Sequence, residues 1–565
     1  MNLARRSATM RPAGMALLGL CIFAAAVNGQ SAKLAAGNGA RVISGVVVNF
    51  SSGQPLEGAD ITLTDGKTAA LVAEMTSDAE GRFVFPHLAD GRYALRAAHR
   101  GYLAAAFDEH DGFSSAVVTG KDLITTGLRF AIKPLAVIYG TIADESGDPV
   151  QQGRVQLYRQ DERSGTSRVV RAGAAVSDDL GNYEFPRLSP GNYYIAVMAQ
   201  PWYASQLQAL LGQNGDSAQE RPRSPLDVAY ATTFYADVTD SDQATPIPVK
   251  AGDRIPVNFM LHPVPAVHIT MQVSGPGRGQ FAGMPQLRQD VFGSMEVTAM
   301  QGVRYSTHDD GSGTTPTTTI ELSGVAPGHY EMEMRSSPRS GNGHYTSIDA
   351  SADHPIVDAS VNEALADVSG KVAMAGGGNL PQGLSISLQD QQGDDNNRAR
   401  VEKDGSFEIQ NVRPGTYELV ANAAEAAVTS TRITASGATV DGRLLKVGTA
   451  PITLTATLVE GTASVSGFAK VNGKAVAGAM VVLVPAHPNA DRTLFRRDQS
   501  DTDGSFNLKR AIPGEYTLVA IQDGWTLDWA RAEVIAHYLP HGQKITVPAN
   551  GRDVQLSDAV EVQLK

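Results

Sequence analysis

The sequence predicts an all-β chain of five tandem antiparallel β-sandwich domains, about seven strands each. Three observations lead there: a hairpin-coding frame that recurs five times, alternating apolar strands that open and close the units, and a spacing of roughly 90 to 130 residues between copies, which suits one domain per copy. Glycine and proline, 57 and 29 of 565 residues, suit many short strands joined by turns.

The frame is clearest from Asp178 to Tyr193. From Gly181 as origin, Tyr183 stands at +2, Phe185 at +4, Leu188 at +7, Gly191 at +10 and Tyr193 at +12. Gly81 starts the same series with Phe83, Phe85, Leu88, Gly91 and Tyr93; Gly405 does so with Phe407, Ile409, Val412, Gly415 and Tyr417. Gly504 leads to Phe506, Leu508, Gly514 and Tyr516, with Ala511 at +7 and Ile512 beside it. A degraded copy runs from Thr318 through Ile320, Leu322, Val325 and Gly328 to Tyr330. A glycine after aspartates supplies a positive φ for a tight turn, and apolar residues at +2 and +4 share one face of the strand that follows. A second turn and a second strand from the tyrosine complete a hairpin with one buried face.

Strands flank each frame. Openings read Arg41-Val-Ile-Ser-Gly-Val-Val-Val48, Ile138-Tyr-Gly-Thr-Ile142, Val368-Ser-Gly-Lys-Val372 and Val465-Ser-Gly-Phe468. Closures alternate through Leu128, Phe130 and Ile132, through Ile255, Val257, Phe259 and Leu261, through Ile452, Leu454 and Leu458, and through Val560, Val562 and Leu564. The resulting partition is a leader at 1–29, a linker at 30–40, and sandwiches at 41–133, 134–262, 263–366, 367–460 and 461–565. The third is degenerate. The second carries an insertion at 199–232, with an amphipathic run from Gln206 to Leu211. The fifth carries one at 525–541, read as a single helix that Pro540 ends.

Arg5, Arg6 and Arg11, an uncharged apolar run and the small residues Val27 and Gly29 describe a secretory signal peptide, with a retained membrane anchor as the alternative. Export to the periplasm, cell surface or medium follows. The single cysteine, Cys21, lies in that leader, so the mature chain has neither disulfide nor thiol, which suits a Gram-negative bacterial envelope. No later apolar run is long enough to span a bilayer. The net charge of -12 makes nucleic acid and anionic lipid poor partners.

The Val-x-Gly-x-Val openings, the turns such as Pro55-Leu-Glu-Gly-Ala59 and the hairpin frame together resemble the carboxypeptidase regulatory-like domain, closely in units one, two, four and five and weakly in unit three. The resemblance implies a prealbumin-like (immunoglobulin-like) sandwich, related in shape to the carbohydrate-binding-like and collagen-adhesin B-type folds, and a non-catalytic module. Thr233-Phe-Tyr-Ala-Asp237 and Trp525-Thr-Leu-Asp-Trp-Ala530 are similar to segments of long tandem proteins of environmental bacteria. Some relatives hold an internal Lys–Asn bond, for which Lys371 and Lys470 are the near candidates.

Chemistry has few footholds. His537 and His541 have helical spacing, but Pro540 stands between them and no acid is placed as a base. Asp108-Glu-His-Asp-Gly112 and Asp501-Thr-Asp-Gly504 hold oxygen ligands without the alternation or distal glutamate of a calcium loop. There is no Gly-x-Ser-x-Gly elbow. No catalytic residue, metal or cofactor is expected, and no enzymatic activity. Trp202, Tyr203, Trp525 and Trp529 lie outside the repeated frame and are the candidates for stacking on sugar rings; the opposing reading has Trp525 and Trp529 pinning a helix to the sandwich. The expected function is binding of a polysaccharide or an envelope protein. The alternatives are a structural spacer of the envelope and an accessory subunit of a hydrolase system. Buried tryptophans and large contacts between units would favour the spacer.

Overall fold

The computed structural model describes residues 33–34 and 39–565, apart from 205–224, 275–284, 299, 301, 309–316, 336–342, 352–355, 359–364, 391–396, 425, 442 and 490. The leader at 1–29 and the run from Gln206 to Leu211 lie outside the described residues. The chain is nearly all β, arranged as pairs of sheets.

In all five units the opening strand pairs on one side with the first strand of the frame hairpin and on the other with the closing strand. In the first unit Arg41–Asn49 runs antiparallel to Arg82–Leu88 and parallel to Leu128–Ile132. The same arrangement places Ala136–Ala143 against Asn182–Leu188 and Arg254–Pro256, and Val267–Ser274 against Thr317–Val325 and Ile356–Asp358. It recurs for Ala366–Met374 and for Ala463–Val471. Each sandwich therefore contains at least one parallel pair, and the fifth has another between Gly514–Gln522 and Val560–Leu564, where the alternation of residues suggested antiparallel pairing throughout. Alternation reports which face of a strand is buried and is blind to strand direction. Because opening and closing strands point the same way, the chain leaves each unit at the end opposite its entry, as a head-to-tail string requires.

The frame's spacing now has a cause. Residues at +4 and +7 of a regular strand would face opposite sides, yet Phe83, Phe85 and Leu88 are all buried. The residue at +6 resolves this by adopting left-handed φ: 61° at His87, 62° at Arg187, 58° at Asn411 and 57° at Arg510. At this bulge the opening strand's register shifts by one, which turns +7 back to the core. Glycine is needed at the origin: Gly181 has a φ of 74°, and a Cβ there would stand 2.5 Å from the Ile142 carbonyl oxygen. In the first, second, third and fifth units the tyrosine at +12 donates its hydroxyl to the carbonyl four residues upstream. Tyr93 reaches Ala89 at 3.1 Å, and Tyr193, Tyr330 and Tyr516 reach Ser189, Ala326 and Ile512 at 2.8 Å. This satisfies a buried polar group and ties the hairpin turn to the strand that leaves it.

Each unit has its own core between its two sheets. The fifth has a second one. Its strand Met480–Pro485 is buried at all six positions, because residues 525–541 cover the outer face of that sheet. That segment is not the single helix the sequence suggested. It comprises a 3-10 turn at Gly524–Thr526, one α-turn at Ala532–Ile535 and a second 3-10 turn at Leu539–His541, which Pro540 helps to begin rather than end. The intervening residues 528–530 are drawn out of helical geometry by contacts with the second unit.

Candidate functional site at the junction of the terminal units

The turn that opens the fifth frame, Asp501 to Gly504, makes its closest side-chain contacts with the first unit. Asp501 is 1% exposed. Its carboxylate receives both Nε and Nη2 of Arg92, the latter at 2.9 Å, and the backbone N–H of Ala116 at 2.7 Å. Ser115 Oγ donates to the Ser500 carbonyl at 2.9 Å, and Val118 N–H to Thr502 Oγ1 at 2.9 Å. Gln499, with no exposure, donates Nε2 to Ser115 Oγ at 2.9 Å and to the Asp108 carbonyl. Burial pushes the Asp501 carboxyl up, while the Arg92 guanidinium and the Ala116 N–H oppose that rise. The salt bridge raises Arg92 in turn.

Beside this lattice, Arg497 is caged by aromatic rings. Its guanidinium carbon lies 4.9 Å from the ring centre of Phe113, 5.2 Å from that of Trp525 and 4.8 Å from that of Trp529, and Nη1 pairs with Asp111 at 3.2 Å. His110 stacks on Trp525 with centroids 5.3 Å apart and planes 10° from parallel. The cation is held by ring faces and one carboxylate, so little of its charge reaches water.

The second unit completes the contact. Its loop at 162–167 approaches the Trp529 segment closely enough that Gly165, with a φ of 84°, would place a Cβ 2.4 Å from that of Ala530. Ala530 N–H donates to the Gly165 carbonyl at 2.9 Å, and Ser167 N–H to Asp528 Oδ1 at 2.7 Å. Units one, two and five thus form one junction.

Next to it, residues of units two, three and five line a half-open cavity of about 610 Å³. Arg168, Arg492 and Arg531 line it, with Ser167, Asn489 and Phe292; Glu533 is the acid among the lining residues. Arg531 pairs with Asp528 at 3.2 Å.

The four aromatics singled out from sequence fall into two groups. Trp525 and Trp529 are 7% and 8% exposed and belong to the junction, so their rings are already occupied by Arg497, His110, Phe113 and Phe495. Trp202 is 62% exposed and meets Tyr203 edge to face at 5.8 Å. Tyr203 and Tyr230 donate their hydroxyls to the two oxygens of Glu145, at 2.8 and 3.1 Å. Burial and the neighbouring Glu145 raise both phenols.

The two acidic segments weighed as calcium loops meet in the junction, where Asp501 and Asp111 pair with arginines and Asp108 accepts Ser115 Oγ at 3.1 Å. Among the described residues no group of three or more histidines, cysteines or acids is gathered as a metal site. Lys371 is exposed and Lys470 lies over the Phe468 ring at 5.5 Å. Sequence reasoning missed the junction itself. Its one legible trace is the unbroken apolar run from Met480 to Val484, which marks a strand buried on both faces.

Residues 42–119 match the family model of the carboxypeptidase regulatory-like domain, as the frame led one to expect. Residues 367–443 match that of the second beta sandwich domain of BOS complex subunit NOMO1-like proteins. No curated protein matches the chain. Among solved structures, the Bacillus anthracis TIE protein is similar at 8% identity over 74% of each chain, with a TM-score of 0.17. GBS52, the minor pilin of Streptococcus agalactiae, is similar at 15% identity over 40% of this chain and 97% of its own, with a TM-score of 0.19. The shaft pilin SpaA from Lactobacillus rhamnosus GG is similar at 10% identity over 40% of this chain and 98% of its own, with a TM-score of 0.18. No helix among the described residues is long and apolar enough to cross a membrane.

Proposed function

We propose that this chain is an exported, non-catalytic scaffold of the bacterial cell envelope, whose string of sandwiches is closed by a clasp between its last unit and its first two. The observation that carries this reading is the burial of Trp525 and Trp529 around Arg497 inside that junction. A spacer needs its modules held at fixed angles, and the junction does so with one desolvated ion pair, an aromatic cage and main-chain bonds.

A specific test uses the absence of thiols from the mature chain. Residues 30–565 carrying Ala116→Cys and Thr502→Cys, where Thr502 N–H donates to the Ala116 carbonyl at 3.1 Å, should form an intramolecular disulfide on mild oxidation. Fractionation of the producing cell should place the protein in the envelope or medium. A pair that stays reduced in folded protein, or a cytoplasmic location, defeats the scaffold reading.

A second reading, glycan binding, is favoured by the exposed Trp202 beside the Tyr203–Glu145–Tyr230 group. An exposed indole next to hydrogen-bonding groups is what a sugar ring requires. A glycan array probed with the mature chain and with Trp202→Ala is its test: signal lost in the variant supports it, and silence across the array removes it.

A further inference from the structure

The cavity beside the clasp has a composition that the scaffold reading does not use. Its walls come from residues 166–170 of the second unit, 292–294 of the third and 489–533 of the fifth. On a chain with a net charge of -12, this one cavity gathers three guanidinium groups against the single carboxylate of Glu533. Arg168 and Arg492 are exposed, and neither makes a salt bridge or side-chain hydrogen bond among the described residues. Arg531 is oriented by Asp528, which also receives the Ser167 N–H, so one acid sets both a guanidinium and the neighbouring wall. Asp528 pairs with Arg531, and Asp161 and Glu418 act on Arg168 and Arg492 from outside the lining, so the excess of positive charge is local to the cavity wall, where an anion would be attracted. A guanidinium presents a planar fork of donors suited to carboxylate or phosphate.

Size and lining narrow the class. At about 610 Å³ the cavity is about twenty times the ~30 Å³ share of one water, and it falls within the range of sites that hold organic ligands. Ser167 and Asn489 line the same space: the Ser167 hydroxyl accepts Gln160 Nε2 at 2.8 Å and keeps its own proton to donate, and the Asn489 amide can pair with sugar hydroxyls. Phe292, half-buried and packed by the rings of Tyr158, Tyr194 and Phe234, forms the apolar side of the wall. The guanidinium groups sit on separate segments around the space rather than in a row along one strand edge, as an added peptide strand would need.

We propose that this cavity binds an acidic oligosaccharide, with its carboxylates received by Arg168, Arg492 and Arg531 and its hydroxyls by Ser167 and Asn489. Because three units build the walls, the site exists only with those units gathered, and an occupant stabilises that arrangement.

The probe is trigalacturonate, titrated calorimetrically into residues 30–565 at 50 and 300 mM NaCl, with maltotriose, inorganic phosphate and hexaglutamate as separate arms. The expected result is saturable binding of trigalacturonate, several-fold weaker at the higher salt, and silence from maltotriose. Arg168→Ala with Arg492→Ala should weaken binding at least tenfold while melting temperature and circular dichroism stay unchanged, and the corresponding lysine pair should recover part of the loss. Absence of trigalacturonate binding overturns the proposal, as does binding that the double variant leaves intact. Phosphate binding without trigalacturonate would reassign the cavity to a simple oxyanion, and hexaglutamate binding as tight as trigalacturonate to an acidic peptide; either removes the saccharide. The clasp disulfide is read independently, so failure here leaves the scaffold reading standing.

Discussion

The turn at Asp178 in the second unit and the turn at Asp501 in the fifth occupy the same place in the repeated frame, three residues before the origin glycine, and share the same backbone bonds. In both, the aspartate N–H bonds the carbonyl four residues on, at 3.0 and 2.8 Å, and the glycine N–H returns to the aspartate carbonyl at 3.1 and 2.8 Å. Their side chains differ. Asp178 is exposed and caps its own turn, accepting the N–H groups of Leu180 at 2.9 Å and Asn182 at 2.7 Å; bonds from the Asn182 side chain and backbone hold its carboxyl below the usual range. Asp501 is buried and spent on the first unit. What releases it is Asp503, two residues on, which takes over the local task by accepting Ser505 N–H at 2.9 Å and Ser505 Oγ at 2.6 Å. A repeated turn can thus carry a contact between domains once a second acid covers its own backbone.

The largest effect should come from breaking the released side of that pair. Asp501→Ala leaves Arg92 and the Ala116 N–H without their acceptor, a loss on the order of 3–5 kcal/mol for a buried ion pair cut on one side. Because the fifth unit keeps its own core, the expected readout is an opened clasp: a larger radius of gyration by small-angle scattering with β content unchanged. A scattering curve identical to the parent's would show that the junction does not depend on this pair.

Arg497→Ala should come next, at about 2–4 kcal/mol, since it empties a cage of three rings and strands Asp111. Arg497→Lys should recover less than half of that, because an ammonium cannot match a planar cation stacked among rings. Thermal melts and tryptophan emission, red-shifted as Trp525 and Trp529 meet water, measure both.

The contact between units two and three offers a pH-dependent contrast to the clasp. His268 lies 2.8 Å from Asp227 and 3.3 Å from Glu321, and these two acids, Asp227 foremost, raise it to about 9. With the folded value above the ordinary one of about 6.5, its stabilisation is full below pH ~6.5 and is lost as pH rises through about 9. The melting temperature should fall by a few degrees between pH 6.5 and 9.5, and His268→Gln should flatten that dependence. An unchanged slope in the variant would assign the effect to other groups.

Asp178→Ala completes the comparison with the smallest change. An exposed cap that serves only its own turn should shift the melting temperature by about a degree or two and leave the scattering curve untouched. An opening of the clasp by this variant would break the distinction between the two turns.

The hairpin frame was legible because its chemistry is local. The glycine turn at the origin, the aromatic alternation and the tyrosine at +12, which bonds the carbonyl four residues upstream, each show within a few residues, whereas the bulge that turns Leu88 back to the core and the close approach of Gly181 to Ile142 depend on the opening strand. The helix expected over 525–541 was misjudged because Asp528 and Ala530 bond to Ser167 and Gly165, over three hundred residues away. Local propensity has no term for such partners.

By itself, then, the sequence determined the all-β character, the frame hairpin and most of the strand faces that form the cores, since burial on one face of a strand is recorded as a period of two. Only the tertiary structure decided strand direction, the use of Asp501 rather than Asp178 as a bridge, the fate of three tryptophans and the gathering of Arg168, Arg492 and Arg531 around one cavity. Those outcomes depend on which surfaces meet across hundreds of residues. A side chain able to cap a turn, stack on a sugar or close an interface has the same letter in all three roles, and its neighbours in space select among them.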